Sequence, residues 1–558
     1  MTALAPASNN TGSWASPGSN LALLAHVTDL VQQGLYDSSV ILGQFLVTEA
    51  RRQQSSSGSD DARLDLIDSL VLLGEAFAGK GEYRRAISKY EDALQTSQLL
   101  RYSSADPRIA NDDCIRMKIA QAYVRLKSTS TNQSNIDSVK LALEALEPIQ
   151  QKSASCWNLM ATLYERLGRV KTASAAYQKV LDANPMAISA AIAIIRLGGD
   201  ASAVSSLYKK STHAWIVQLL AGHSSATLHE HRSALAAFSH LNLQFPNTHH
   251  VLVHRARTQL HLSDADAARA TFEMAHRCDP FALEYMDMYA WVLRMRGKAS
   301  ELGVLTQSLL SLDQTSPQPW IAVALYCDQR GEREKAVKFL DKAVAMAPRH
   351  MPSYLVKGFI SLAMGCAEVA VQAYKQAFHI DRRELDAYAG LVESYLALPQ
   401  FNDALYIAKA AVQALPRNAR ALTLFGTVLS RSPEGRDKAA KAFKKALSID
   451  PKCVDAVLAL SKLYIGQKQF SEAITLLEQH LAHNPSDVMH TKLAGVYAQS
   501  GNIDRALIHY HTALSMSPES RTALAGIERL EAALKERAAA VQPTILHGHD
   551  IDFEPVYQ

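Results

Sequence analysis

Apolar and polar positions recur along this chain with the period of amphipathic helices, in short segments interrupted at regular intervals. Leu21, Leu24, Val27, Leu30 and Val31 share one helical stripe, which Asn20 can cap and Gly34 ends. A second helix starting at Ser38 or Ser39 carries Val40, Ile41, Leu42, Phe45, Leu46 and Val47 and is apolar nearly all round. Beyond a polar linker, Arg51–Ala62, the stripes pair and repeat. Prolines that end predicted helices fall at Pro246, Pro280, Pro348, Pro416, Pro451, Pro485 and Pro518. Their spacings of 34, 68, 68, 35, 34 and 33 are single or double steps of one period.

A 34-residue unit of two antiparallel helices is the tetratricopeptide length. With the closing proline as position 32, one unit places Trp157, Ala161, Tyr164, Ala173 and Tyr177 at 4, 8, 11, 20 and 24. Another places Trp320, Ala324, Ala336 and Ala343 at 4, 8, 20 and 27. Small residues at 8, 20 and 27 let helices approach, and aromatics fill the space between them. The proline stops the second helix, because the residue before it is pushed out of the α region, and pre-sets the start of the next. Gly81–Ala86, Gly168–Ala173, Gly331–Ala336, Gly365–Ala370 and Gly501–Ala506 share a five-residue offset, which puts a left-handed glycine cap before a packed alanine. The predicted fold is an all-α tetratricopeptide-repeat superhelical solenoid. Residues 1–19 read as a disordered lead-in, 20–52 as a helical pair and 53–66 as a linker. Tandem repeats follow over 67–518, about 13 helix pairs. The units at 116–149, 186–214 and 283–314 are degenerate, with a lengthened loop at Ser128–Asn135 and a distorted turn at Gly198 and Gly199. A capping helix (519–541) and an extended tail (542–558) complete the chain.

Composition narrows the function more than the fold. Net charge is +4 over 558 residues, which asks for neither nucleic acid nor an anionic membrane as partner. No apolar stretch is long enough to span a bilayer, and the N-terminus lacks the regions of a signal peptide. The six cysteines have no paired spacing, which suggests reduced thiols, so a location in nucleus and cytoplasm is expected. No phosphate-binding glycine loop or nucleophile elbow occurs, and the repeats leave no room for a catalytic domain. His250 and His254, with His249 and His261 nearby, lack the acidic partner of a zinc motif, and His547, His549, Asp550 and Asp552 sit in a tail that preorganises nothing. The expectation is no metal, no cofactor and no catalytic residue. Lys438, Lys441, Lys444 and Lys445 line one side of a helix and read as a solvated face or as a site for an acidic partner. Ser16, Ser316 and Ser432 precede prolines and fit proline-directed phosphorylation.

The over-apolar helices at 20–52 either fold back on their own chain or form a self-association surface. Here the sequence also departs from a generic repeat. His26-Val27-Thr28-Asp29, Gly34-Leu35, Leu46-Val47-Thr48, Glu82–Tyr90, Cys278-Asp279-Pro280, Met286–Tyr289 and Arg382–Leu398 resemble the subunit 7 family of the anaphase-promoting complex, over about residues 21–530. The resemblance implies a non-catalytic, homodimeric scaffold of a cell-cycle ubiquitin ligase that stacks on the neighbouring tetratricopeptide subunit 3. It implies dimer contacts at Leu24, Val27, Leu30, Val40, Ile41, Phe45 and Leu46. The chain departs from vertebrate-type members in lacking a long acidic tail, so no role of that tail carries over. A co-chaperone with a carboxylate clamp is disfavoured by Val71 and Glu75 at inner positions of the first repeat. A trafficking or intraflagellar scaffold shares the fold and would differ only in partners.

Overall fold

The computed structural model describes residues 20–57, 59–101, 112–126, 132–208, 214–483, 486–517 and 520–541. Among them every regular element is helical, and successive helices pack as antiparallel pairs. The chain divides into two compact units, Met1–Thr227 and Leu228–Gln558.

The turn inside each hairpin follows from backbone chemistry. Gly81, Gly168, Gly331, Gly365 and Gly501 all have left-handed φ, between +75° and +88°. At the first of these the Gly81 N–H donates to the Ala78 carbonyl and the Glu82 N–H to the Phe77 carbonyl, a Schellman closure that satisfies orphan carbonyls. Five residues on, Ala86, Ala173, Ala336, Ala370 and Ala506 are each fully buried. The same turn recurs where no glycine marks it. His229, Ser263 and Lys468 sit at φ +59°, +63° and +59°, and Ala234, Ala268 and Ala473 follow five residues later, again fully buried.

Small residues at position 8 have an equally direct cause. A Cβ added to Gly74 would lie 2.5 Å from the Tyr90 ring, and one added to Gly358 would lie 2.6 Å from the Tyr374 ring. The aromatic at position 24 rests on the backbone of its partner helix, so nothing larger fits.

In the first unit, the helix Asn20–Gln32 ends at Gly34, and the next runs from Tyr36 to Ser57. Residues 53–57, expected in a linker, extend this helix. Ser55 and Ser56 turn their hydroxyls back onto the carbonyls of Arg51 and Gln53 (2.9 and 3.0 Å), so the polar run is accommodated without leaving the helix. The first repeat likewise starts early, at Asp60, capped by the Ser59 hydroxyl that accepts from the Ala62 N–H. The unit at 186–214 is shortened, with helices of 9 and 6 residues. Its turn is tight because a side chain on Gly199 would meet Ile194 at 2.5 Å. Residues 132–135 of the anticipated long loop are helical, and 127–131 lie outside the described residues.

In the second unit the pair at 283–314 keeps both helices, Met286–Met295 and Ala299–Leu312, with the first shortened to 10 residues. Its signature is blurred because Tyr285, left-handed at φ +61°, delays the first helix. The closing prolines do end helices, but they do not begin the next one. After Pro348, Pro416 and Pro451 a turn intervenes, and the following helices start at Met351, Ala419 and Val454. Local caps take over; the Asn418 side chain accepts from the N–H groups of Arg420 and Ala421. Pro485 and Pro518 lie outside the described residues. A final helix, Arg521–Val541, covers the last repeat with Ala523 and Leu530.

Candidate functional site

Two surfaces stand out, one in each unit. On the first, the seven residues at 24–46 separate by burial. Val27 and Leu46 are fully buried, and Val40 packs with Val47, Ala50, Leu66 and Leu70 into the protomer's own core. Leu24 and Leu30 are half-buried. Ile41 and Phe45 project outward at 58% and 68% exposure, one helical turn apart; Leu35, just before this helix, is 50% exposed. Among the described residues none buries this pair. Val27, Val40 and Leu46 cannot face a partner directly; they shape the platform that presents Ile41 and Phe45. Two large apolar side chains at i and i+4 form a patch that water disfavours.

On the second surface, residues far apart in sequence meet in a cleft of about 760 Å³. Arg232 pairs with Asp450 at 2.5 Å and Arg417 with Glu230 at 3.8 Å, so the start of the helix His231–Gln244 faces the two ends of the hairpin Ala419–Ile449 across the cleft. Arg420 lies between Asp386 (3.5 Å) and Asp455 (3.3 Å). His231 and His261 stack with ring centroids 4.7 Å apart. Burial, reinforced by the neighbouring His261, pushes the His231 pKa down to about 2, and burial holds His261 well below its usual range. Both rings are therefore neutral hydrogen-bonding groups at physiological pH. Charged side chains and neutral imidazoles line the cleft together with Leu235, Leu262, Ile449 and Val454.

Glu384 lies behind this cleft, buried, its Oε1 accepting from the Asp386 N–H at 3.4 Å. Burial and the neighbouring Asp386 raise its pKa to about 7. A carboxyl raised in the folded state favours folding when protonated. Its ionisation therefore costs stability as pH rises from about 4.5 to 7, on the order of 3 kcal/mol in full. Glu384→Gln, which keeps the accepting oxygen, is expected to raise the melting temperature at pH 8 and leave it nearly unchanged at pH 5. A gain of equal size at both pH values would contradict this.

His254 stacks on Phe238 (5.7 Å) and meets Tyr285 and His250 edge-on at 5.2 and 4.5 Å, an aromatic cluster. Glu75 pairs with Lys118, so an acid occupies the inner face where a carboxylate clamp needs cations. Ser316 and Ser432 are half-buried at the residue before their helices, neither capping through its side chain, and the Ser316 hydroxyl donates to Asp313. Ser16 and the tail group His547, His549, Asp550 and Asp552 lie outside the described residues. Sequence reasoning missed the cleft, because nothing in a repeat signature says which turns of a solenoid will meet.

Tetratricopeptide-repeat family models match residues 69–101, 154–185 and 436–496. The fold is also that of a chain in the crystal structure of the APC/C hetero-tetramer Cut9–Hcn1, with TM-score 0.54, 19% identity, and coverage of 92% of this chain and 96% of that one. The molecule is thus a tetratricopeptide-repeat solenoid. Within that class, anaphase-promoting complex subunit 7 of Arabidopsis thaliana is 30% identical over 91% of this chain and 94% of its own length. The Dictyostelium discoideum subunit 7 is 24% identical over 92% and 91%. The chain belongs to the anaphase-promoting complex subunit 7 family.

Proposed function

We propose that this chain is a scaffold subunit of the anaphase-promoting complex, the cell-cycle ubiquitin ligase, and acts by holding other subunits rather than by making bonds. The observation that carries this reading is the similarity to subunit 7 relatives, which covers 91–92% of this chain and 91–94% of theirs. In finer detail, the chain pairs with a second copy through Ile41 and Phe45, flanked by Leu24 and Leu30. Its neighbours in the complex are other tetratricopeptide subunits, subunit 3 among them, and it works in nucleus and cytoplasm. Supporting the dimer are the two exposed apolar side chains on a helix otherwise anchored in the core; an isologous interface duplicates each such contact. Affinity purification of the tagged full chain from mitotic cells is expected to recover the cullin and the other tetratricopeptide subunits. Recovery of the chain without them would end the assignment.

A further inference from the structure

Lys438, Lys441, Lys444 and Lys445 are exposed along the helix Arg436–Ile449, and among the described residues none of them makes an ion pair. Other cations on these repeats, Arg269, Arg296, Lys335 and Lys357 among them, do find a carboxylate on their own or a neighbouring helix. Beside the row lies a shallow groove of about 310 Å³ between the second helices of two successive hairpins, Arg436–Ile449 and Phe470–His483. Leu447, Leu460, Tyr464 and Leu476 supply its apolar lining, with Thr475 and Gln479 beside them. Lys444 stands on one rim and Glu472 on the other. A ligand for this surface needs carboxylates on one side and an apolar side chain on the other, with the acids toward the lysine rim.

The chain carries such a segment. Asp550-Ile551-Asp552-Phe553-Glu554 alternates acidic and apolar residues. An extended backbone sends alternate side chains to opposite faces, which places three carboxylates on one edge and Ile551 and Phe553 on the other. Those carboxylates would span roughly 13 Å, against roughly 10 Å for Lys438 to Lys445 along a helix. The described part of the chain ends at Val541, two residues before Pro543, which cannot continue a helix. Two helices, Asp487–Gln499 and Ile503–Met516, separate the final helix from the groove, a step of roughly 24–30 Å at ordinary helix spacing. The twelve residues from Val541 to Phe553 reach about 40 Å when extended. We infer that residues 550–554 dock intramolecularly on the lysine row, with Phe553 in the groove over Leu447 and Leu460.

Hydrogen exchange on the full-length chain tests this. In the intact protein, amides of 436–449 and of 550–556 are expected to exchange about fivefold to tenfold more slowly than in a variant carrying Asp550→Lys, Asp552→Lys, Glu554→Lys and Phe553→Ser. The triple variant Lys438→Glu, Lys441→Glu, Lys445→Glu should lose the same protection. Combining that triple with Asp550→Lys, Asp552→Lys and Glu554→Lys alone should restore it, because the charges are exchanged and Phe553 is kept. Half-molar salt should weaken it. Equal exchange in all variants would overturn the inference, as would failure of the charge exchange to rescue or indifference to salt. Protection that grows with protein concentration would assign the groove to a second copy and overturn the intramolecular docking.

Discussion

Replacing Gly390 with alanine is expected to destabilise the second unit by about 2–3 kcal/mol, although alanine is the better helix former by about 1 kcal/mol. Tyr374, 5% exposed, lies between Gly358 and Gly390. A Cβ at Gly390 would stand 2.2 Å from the ring, and the opposite face already rests on Gly358, where a Cβ would stand at 2.6 Å. The ring has nowhere to go, so the helix Leu385–Ala397 must move away from the preceding hairpin. Repeats depend on their neighbours, and the loss should appear as faster hydrogen exchange in 351–397 as well as a lower melting temperature. Tyr374→Ala should cost about 3–5 kcal/mol alone through lost packing. Once the ring is gone, Gly390→Ala should be neutral or stabilising. An equal loss from Gly390→Ala in both backgrounds would show that the ring is not its cause.

The same contact explains how much of the molecule was readable from its residues. Position 8 is small because position 24 is aromatic, and position 20 is alanine because a left-handed turn five residues earlier brings it against the facing helix. These are local rules, and the sequence displays them wherever glycine marks the turn. Where His229, Ser263 or Lys468 takes that conformation the signal disappears, although the backbone is unchanged. Boundaries failed for a related reason. The run Gln53–Ser57 looks like a linker by composition, yet serine hydroxyls bonded back to the helix keep it helical. At the N-terminal pair, periodicity marked an excess of apolar residues but not their direction. Val27 and Leu46 turned out to serve the protomer, and Ile41 and Phe45 to face outward. The cleft that joins Arg232 to Asp450 depends on small rotations accumulated over five repeats, which no single repeat encodes.

The N-terminal face makes the other large prediction. The full chain is expected to run in light scattering at twice 61.1 kDa, and the double variant Ile41→Glu, Phe45→Glu at 61.1 kDa. Burying each apolar side chain contributes about 1.5–3 kcal/mol, and a twofold interface counts both copies, so roughly 6–12 kcal/mol depends on these two positions. Even the lower figure raises the dissociation constant by about four orders of magnitude, before any cost of desolvating four carboxylates. Both positions are exposed in the protomer, so the variant should keep the helical circular dichroism of the parent. Val27→Glu separates the two roles. Val27 is fully buried, and a carboxylate there should loosen the helices Asn20–Gln32 and Tyr36–Ser57 and abolish pairing only as a consequence, with lost helicity. A folded double variant that keeps the doubled mass, or a parent chain that is already monomeric, would remove Ile41 and Phe45 from the interface and with them the argument that their exposure is for a second copy.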